Sequence, residues 1–133
     1  SGTAGGATVT NAGTIIFRNS STAGNASITN NNQLRFYANT TAASAAIVNS
    51  GNVLFDGNST PGNAQLVNAA PGAVFDLSMT TGPNGDNRLT AGSLAGSGTF
   101  QLGGKELTVG SNNLSTTVTG VLADGGSGGY TGA

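Results

Sequence analysis

From Thr3 onward one unit is written four times: TAGGATVTNAGTIIFRNSS, TAGNASITNNNQLRFYANT, TAASAAIVNSGNVLFDGNS and TPGNAQLVNAAPGAVFDLS. The copies begin at Thr3, Thr22, Thr41 and Thr60, a period of nineteen residues. A fixed period near twenty marks a repeat architecture, in which each unit buries its apolar face only against its neighbours. Aligned, the copies form columns. One is Ala7, Ala26, Ala45 and Ala64; the next is Val9, Ile28, Ile47 and Leu66. Then come Asn11, Asn30, Asn49 and Asn68, followed by Ile15, Leu34 and Val53. Phe17, Phe36 and Phe55 close the unit, and an extra residue near Pro71 assigns Phe75 to the end of their column.

All these positions share one parity, and residues two apart on a strand share a face. Between them lie Thr8, Thr10, Ile16 and Arg18, mostly polar. This is strand periodicity rather than the 3.6 of a helix. Each copy reads as two short strands, near 7–11 and 14–18 in the first, and then a turn rich in Asn, Ser and Thr. Nineteen residues leave no room for a helical crossover. They wind once around a flattened coil, and successive coils stack as parallel strands about 4.8 Å apart. The expected fold is all-β, a right-handed parallel β-helix of about six coils, the hand following the usual crossover preference. Each stacked Ile or Phe contributes roughly 1.5–3 kcal/mol on burial. The asparagine column falls at the bend between the strands and faces inward. A stacked amide there donates to one neighbouring coil and accepts from the other.

The organisation along the chain follows. Residues 1–79 form regular coils, 80–92 a long turn with its tip at Pro83, Asn84, Gly85 and Asp86, and 93–133 less regular coils. In the last third, short alternating runs at 99–102, 106–109 and 114–118 are broken by glycines, and Leu102 to Val121 is again nineteen residues.

Composition excludes most chemistry. The 133 residues contain no cysteine, histidine or tryptophan. Disulfides, thiolate and imidazole metal sites, and triads built on His are therefore absent. Charged residues make up 7% of the chain and the net charge is −1, which offers no footprint for nucleic acid. No apolar run approaches the eighteen residues of a membrane-spanning helix, so no membrane insertion is expected in this fragment. The chain starts at Ser1 without a visible signal peptide and reads as a piece of a longer protein. Sequons at Asn19, Asn25, Asn39, Asn58 and Asn113 are read as turn chemistry.

The run QLGGKELTVGSNNLSTTVTGVLADGGSGG resembles the passenger-associated repeat of bacterial autotransporters, and the TAGNASITN copies resemble a second repeat type of the same large passengers. The resemblance implies a secreted or outer-membrane-surface stalk of a Gram-negative bacterium, exported through a C-terminal β-barrel.

Asp56 and Asp76 follow Phe55 and Phe75 and are assigned to one outward column, a conceivable carboxylate pair but more naturally solvated aspartates. Asp86 lacks the oxygen ligands of a calcium site. Asp124 opens a DGGSGG turn. Thr8 and Thr10 above Ser27 and Thr29 make a small hydroxyl array of the ice-binding kind. Tyr37 and Tyr130 are the only tyrosines for stacking on a glycan. Ile16, Leu54 and Val74 are assigned to one outward apolar stripe, interrupted by Arg35, that would serve self-association; the open coil ends offer end-to-end stacking. The expected function is a non-catalytic structural spacer with no cofactor. The alternative is a binding face for glycan, ice or a host protein, or a self-associating adhesin.

Overall fold

The computed structural model describes residues 2–125. Within them the chain is all-β and winds into a parallel β-solenoid of about six coils. Coils one to three each carry a pair of strands: β1 (Thr8–Asn11) and β2 (Thr14–Phe17), β3 (Ser27–Asn30) and β4 (Gln33–Phe36), β5 (Ala46–Asn49) and β6 (Asn52–Gly57). Coil four holds β7 (Gln65–Asn68) and β8 (Val74–Thr80). Coil five has three strands, β9 (Arg88–Ala91), β10 (Ser93–Gly96) and β11 (Thr99–Gln101). Coil six has β12 (Glu106–Val109) and β13 (Val121–Ala123).

Two parallel sheets make the long faces. The first stacks β1, β3, β5, β7 and β10; the second stacks β2, β4, β6, β8, β11 and β13. The third side is narrow. In coils one to four it is a row of single bridges, Thr3 to Thr22 to Thr41 to Thr60; further along it becomes the β9–β12 pair. Each of these threonines accepts a backbone N–H two residues on through its hydroxyl, at 2.9–3.1 Å, in Gly5, Gly24, Ala43 and Gly62. That turn puts the donating residue, Gly5, Gly24, Ala43 or Gly62, at positive φ.

The interior follows the columns. Val9, Ile28, Ile47, Leu66 and Leu94 stack in register on the first sheet. On the second, Ile15, Leu34 and Val53 stack in register, and Phe17, Phe36 and Phe55 lie beside them. The rings are nearly coplanar in direction, with centroids 4.9 and 4.6 Å apart and planes within 4°. Such contacts contribute about 0.5–1.5 kcal/mol beyond area burial. Val9, Ile15 and Phe17, in the first coil, are covered on one side only and stay half-buried.

Phe75 departs from its expected column. The segment after Asn68 contains three extra residues, so Asn52 pairs with Val74 and Val53 with Phe75. Phe75 therefore continues the Ile15, Leu34, Val53 column and stacks on Phe100, 5.5 Å away. A displacement by two positions preserves parity, so the ring still points inward. Between Leu54 and Asp56 the register shifts once more, setting Leu77 and Ser78 opposite the single residue Phe55. Two residues facing one is a β-bulge. Leu77, fully buried, takes the inward place that Phe75 vacates.

Residues 80–92 are not wholly a turn. A turn runs to Asn87, and β9 follows at Arg88–Ala91. Of the runs expected further on, 99–101 and 106–109 are strands, whereas 114–118 contributes only a bridge from Val118 to Gly96.

Candidate functional site

The asparagine column is buried along its length: Asn11, Asn30, Asn49 and Asn68 are at most 5% exposed. The Nδ2 groups of Asn11, Asn30 and Asn49 each donate to the Oδ1 nineteen residues on, at 2.8, 2.8 and 3.1 Å. All four asparagines also donate from Nδ2 to a backbone carbonyl where the neighbouring coil enters its second strand: Gln33, Asn52, Val74 and Thr99 in turn. The Oδ1 atoms of Asn11 and Asn49 also accept from Gly13 and Gly51 N–H. The ladder ends at Gly96, which pairs with Asn68; a Cβ there would lie 1.9 Å from the Asn68 carbonyl.

The outer face of the second sheet carries a groove with a cavity of about 370 Å³. Two outward columns line it. One runs Thr14, Gln33, Asn52, Val74, Thr99; the other runs Ile16, Arg35, Leu54, Asp76, Gln101. Long side chains stand at its two ends, Gln33 and Arg35 in coil two and Gln101 in coil five, and shorter ones form its floor, Asn52, Leu54 and Val74. Arg35 is held by residues of its own coil, two positions to either side. Its two terminal nitrogens donate to Gln33 Oε1 at 2.7 Å and to Tyr37 Oη at 2.9 Å.

Asp76 is not the solvated aspartate that parity suggested. It is 7% exposed, and its Oδ1 accepts from Ser78 N and Ser78 Oγ at 3.0 and 2.6 Å. The bulge turns this stretch of β8 inward on both sides. Lys105 is buried beside it and donates from Nζ to the Ser78 carbonyl at 3.0 Å. Burial pushes the Lys105 pKa below its ordinary value, and the Asp76 carboxylate opposes that shift. Nothing in the sequence marked Lys105, because only the coil stacked over the bulge makes it an interior residue.

Asp56 and Asp76 do not share a column: Asp56 pairs with Met79, and Asp76 with Leu54. The three-residue insertion and the bulge separate them. Val74 likewise stands in the Asn52 column rather than with Ile16 and Leu54, so the apolar stripe is shorter than expected. The hydroxyl array stops after two rungs, where Ala46 and Val48 succeed Ser27 and Thr29. Among the described residues no group of three or more Asp or Glu side chains is placed to hold a metal ion. No helix among them is long and apolar enough to cross a membrane. Tyr130 and most of the DGGSGG turn lie outside the described residues.

The fold and these ladders define a repeat solenoid whose stability is distributed over stacked coils. Compared with family models, curated proteins and solved structures, the chain matches none.

Proposed function

We propose that this chain is a non-catalytic spacer, a rigid rod segment of a secreted or surface-displayed bacterial protein of the autotransporter passenger kind. The observation that carries the reading is the unbroken asparagine ladder through coils one to four, laid parallel to stacked apolar columns. Each coil is bonded to the next by side chains as well as by backbone, so the coils transmit load along the axis without a hinge. The autotransporter assignment rests on the sequence resemblance.

Two measurements test the proposal. Duplicating residues 22–40 inserts one coil and is expected to lengthen the particle by about 4.8 Å in small-angle scattering while unfolding stays cooperative. A globular rather than elongated profile counts against a rod. Fused between a secretion signal and an outer-membrane β-barrel, the segment is expected on the surface of Gram-negative cells in a protease-resistant form. Retention inside the cell, or ready cleavage, counts against the passenger reading.

A further inference from the structure

The groove on the second sheet is not explained by a spacer role. A rod needs a solvated flank, and a flat row of Thr, Ser and Asn side chains would supply one. Instead, coils two to five assemble a concave site with a fixed cation at one end.

Arg35 offers five N–H groups. Two of them are engaged by Gln33 and Tyr37, and these bonds fix the plane of the guanidinium without neutralising it. No salt bridge to Arg35 forms among the described residues. The one carboxylate of the groove, Asp76, is nearly covered, bonded by Ser78, and balanced by the buried Lys105 ammonium nearby. The electrostatic character of the open groove is therefore set by Arg35. Beside it, the Asn52 and Gln101 amides present both donors and acceptors, while Leu54 and Val74 give an apolar floor. The backbone N–H and C=O groups of these strands are taken up in the sheet, so a ligand is met by side chains alone.

We propose that this groove binds a carboxylate-bearing saccharide, a uronic-acid unit of an acidic glycan. The carboxylate pairs with Arg35, since guanidinium and carboxylate match in shape and charge. Ring hydroxyls exchange hydrogen bonds with Asn52 and Gln101, and the C–H face of the sugar rests on Leu54 and Val74. A cavity of this size, with an apolar floor and few polar groups, fits one or two sugar rings. The site has no tryptophan to stack on the ring, so affinity for a short oligomer is modest, with Kd on the order of 0.1–1 mM.

The test is a titration of the isotope-labelled protein with α- and β-linked oligouronates, followed through the side-chain amide resonances of Gln33, Asn52 and Gln101. Those signals are expected to shift, with the rest of the map still. The methyl-esterified oligomers, which lack the charge, are expected to bind at least about tenfold more weakly. Arg35→Gln is expected to lose the acidic preference and at least about tenfold in affinity at an unchanged melting temperature; Thr29→Val, on the other sheet, leaves binding intact. Three results overturn the proposal: no shift with any oligouronate at about 20 mM, far above the expected Kd; equal binding of acid and ester; or equal binding of an acidic peptide, which would make the groove a general carboxylate site. None of these results bears on whether the chain is a rod.

Discussion

Asn30 and Asn49 are nineteen residues apart in sequence and 2.8 Å apart in space, Nδ2 to Oδ1. The same Asn49 accepts from Gly51 N–H and donates to the Gly51 and Val74 carbonyls and to Asn68 Oδ1. Asn49→Ala therefore strips partners from several buried groups at once. Each such group costs about 1–3 kcal/mol, so a loss of about 3 kcal/mol or more is expected in urea unfolding. Asn11→Ala, at the end of the ladder, is expected to cost distinctly less, about 1 kcal/mol. Equal losses at the two positions would show that the ladder is not a shared network.

Ala43 occupies a turn position that the other copies fill with Gly5, Gly24 and Gly62, and it holds φ at 52°. The left-handed region costs a residue bearing a Cβ about 1–2 kcal/mol. Ala43→Gly removes that strain and adds some unfolded-chain entropy. The expected net is a stabilisation of about 0.5–1 kcal/mol, seen as a rise in melting temperature of about 2–4 °C.

Gly51 lies under Asn32, whose carbonyl oxygen would be 2.2 Å from an added Cβ. Gly13, the equivalent residue of the first coil, has nothing within 4 Å of that position. Gly51→Ala is expected to push two coils apart and cost about 2–3 kcal/mol or more, whereas Gly13→Ala stays within about 0.5 kcal/mol. Denaturation midpoints of the two variants make the comparison.

Lys105 gives the fold a pH dependence of definite sign. Its pKa in the native state is lowered from 10.5 by burial, despite the opposing pull of Asp76. Between the lowered pKa and 10.5 the unfolded chain binds more protons than the native one, so stability rises with pH across that window. Below it, Lys105 is charged in both states and its contribution is flat and least favourable. Subtracting the melting curves of Lys105→Met from those of the wild type is expected to isolate this rise. A difference that is level, or that falls with pH, would contradict the burial of the charge.

Most of the solenoid was legible because the repeat samples each column several times. Val9, Ile28 and Ile47 agree on parity, size and spacing, so their stacking follows from simple geometry. Legibility ended where the columns ceased to be equal. The insertion before Phe75 is invisible to parity, since a two-position displacement leaves an inward residue inward. The bulge opposite Phe55 buries Asp76 and makes room for Lys105, and neither residue type advertises burial. β9 and β10 were hidden for a related reason: coil five redistributes its strands over three sides, with no earlier copy to align against. The groove needed the true register too, because Asp76 joins the column of Arg35 and Leu54 only once the extra residues are counted.

The displaced Phe75 makes coil four an adaptor between two kinds of rung. On one side, its neighbours set an aliphatic residue and a phenylalanine in a fixed order; on the other, phenylalanine occupies the aliphatic place and meets Phe100. Whole units can therefore be inserted among the first three coils without disturbing any contact, whereas a unit inserted beyond coil four meets a surface cut to a different template. A gene that lengthens this solenoid by duplication has only one side on which to do it.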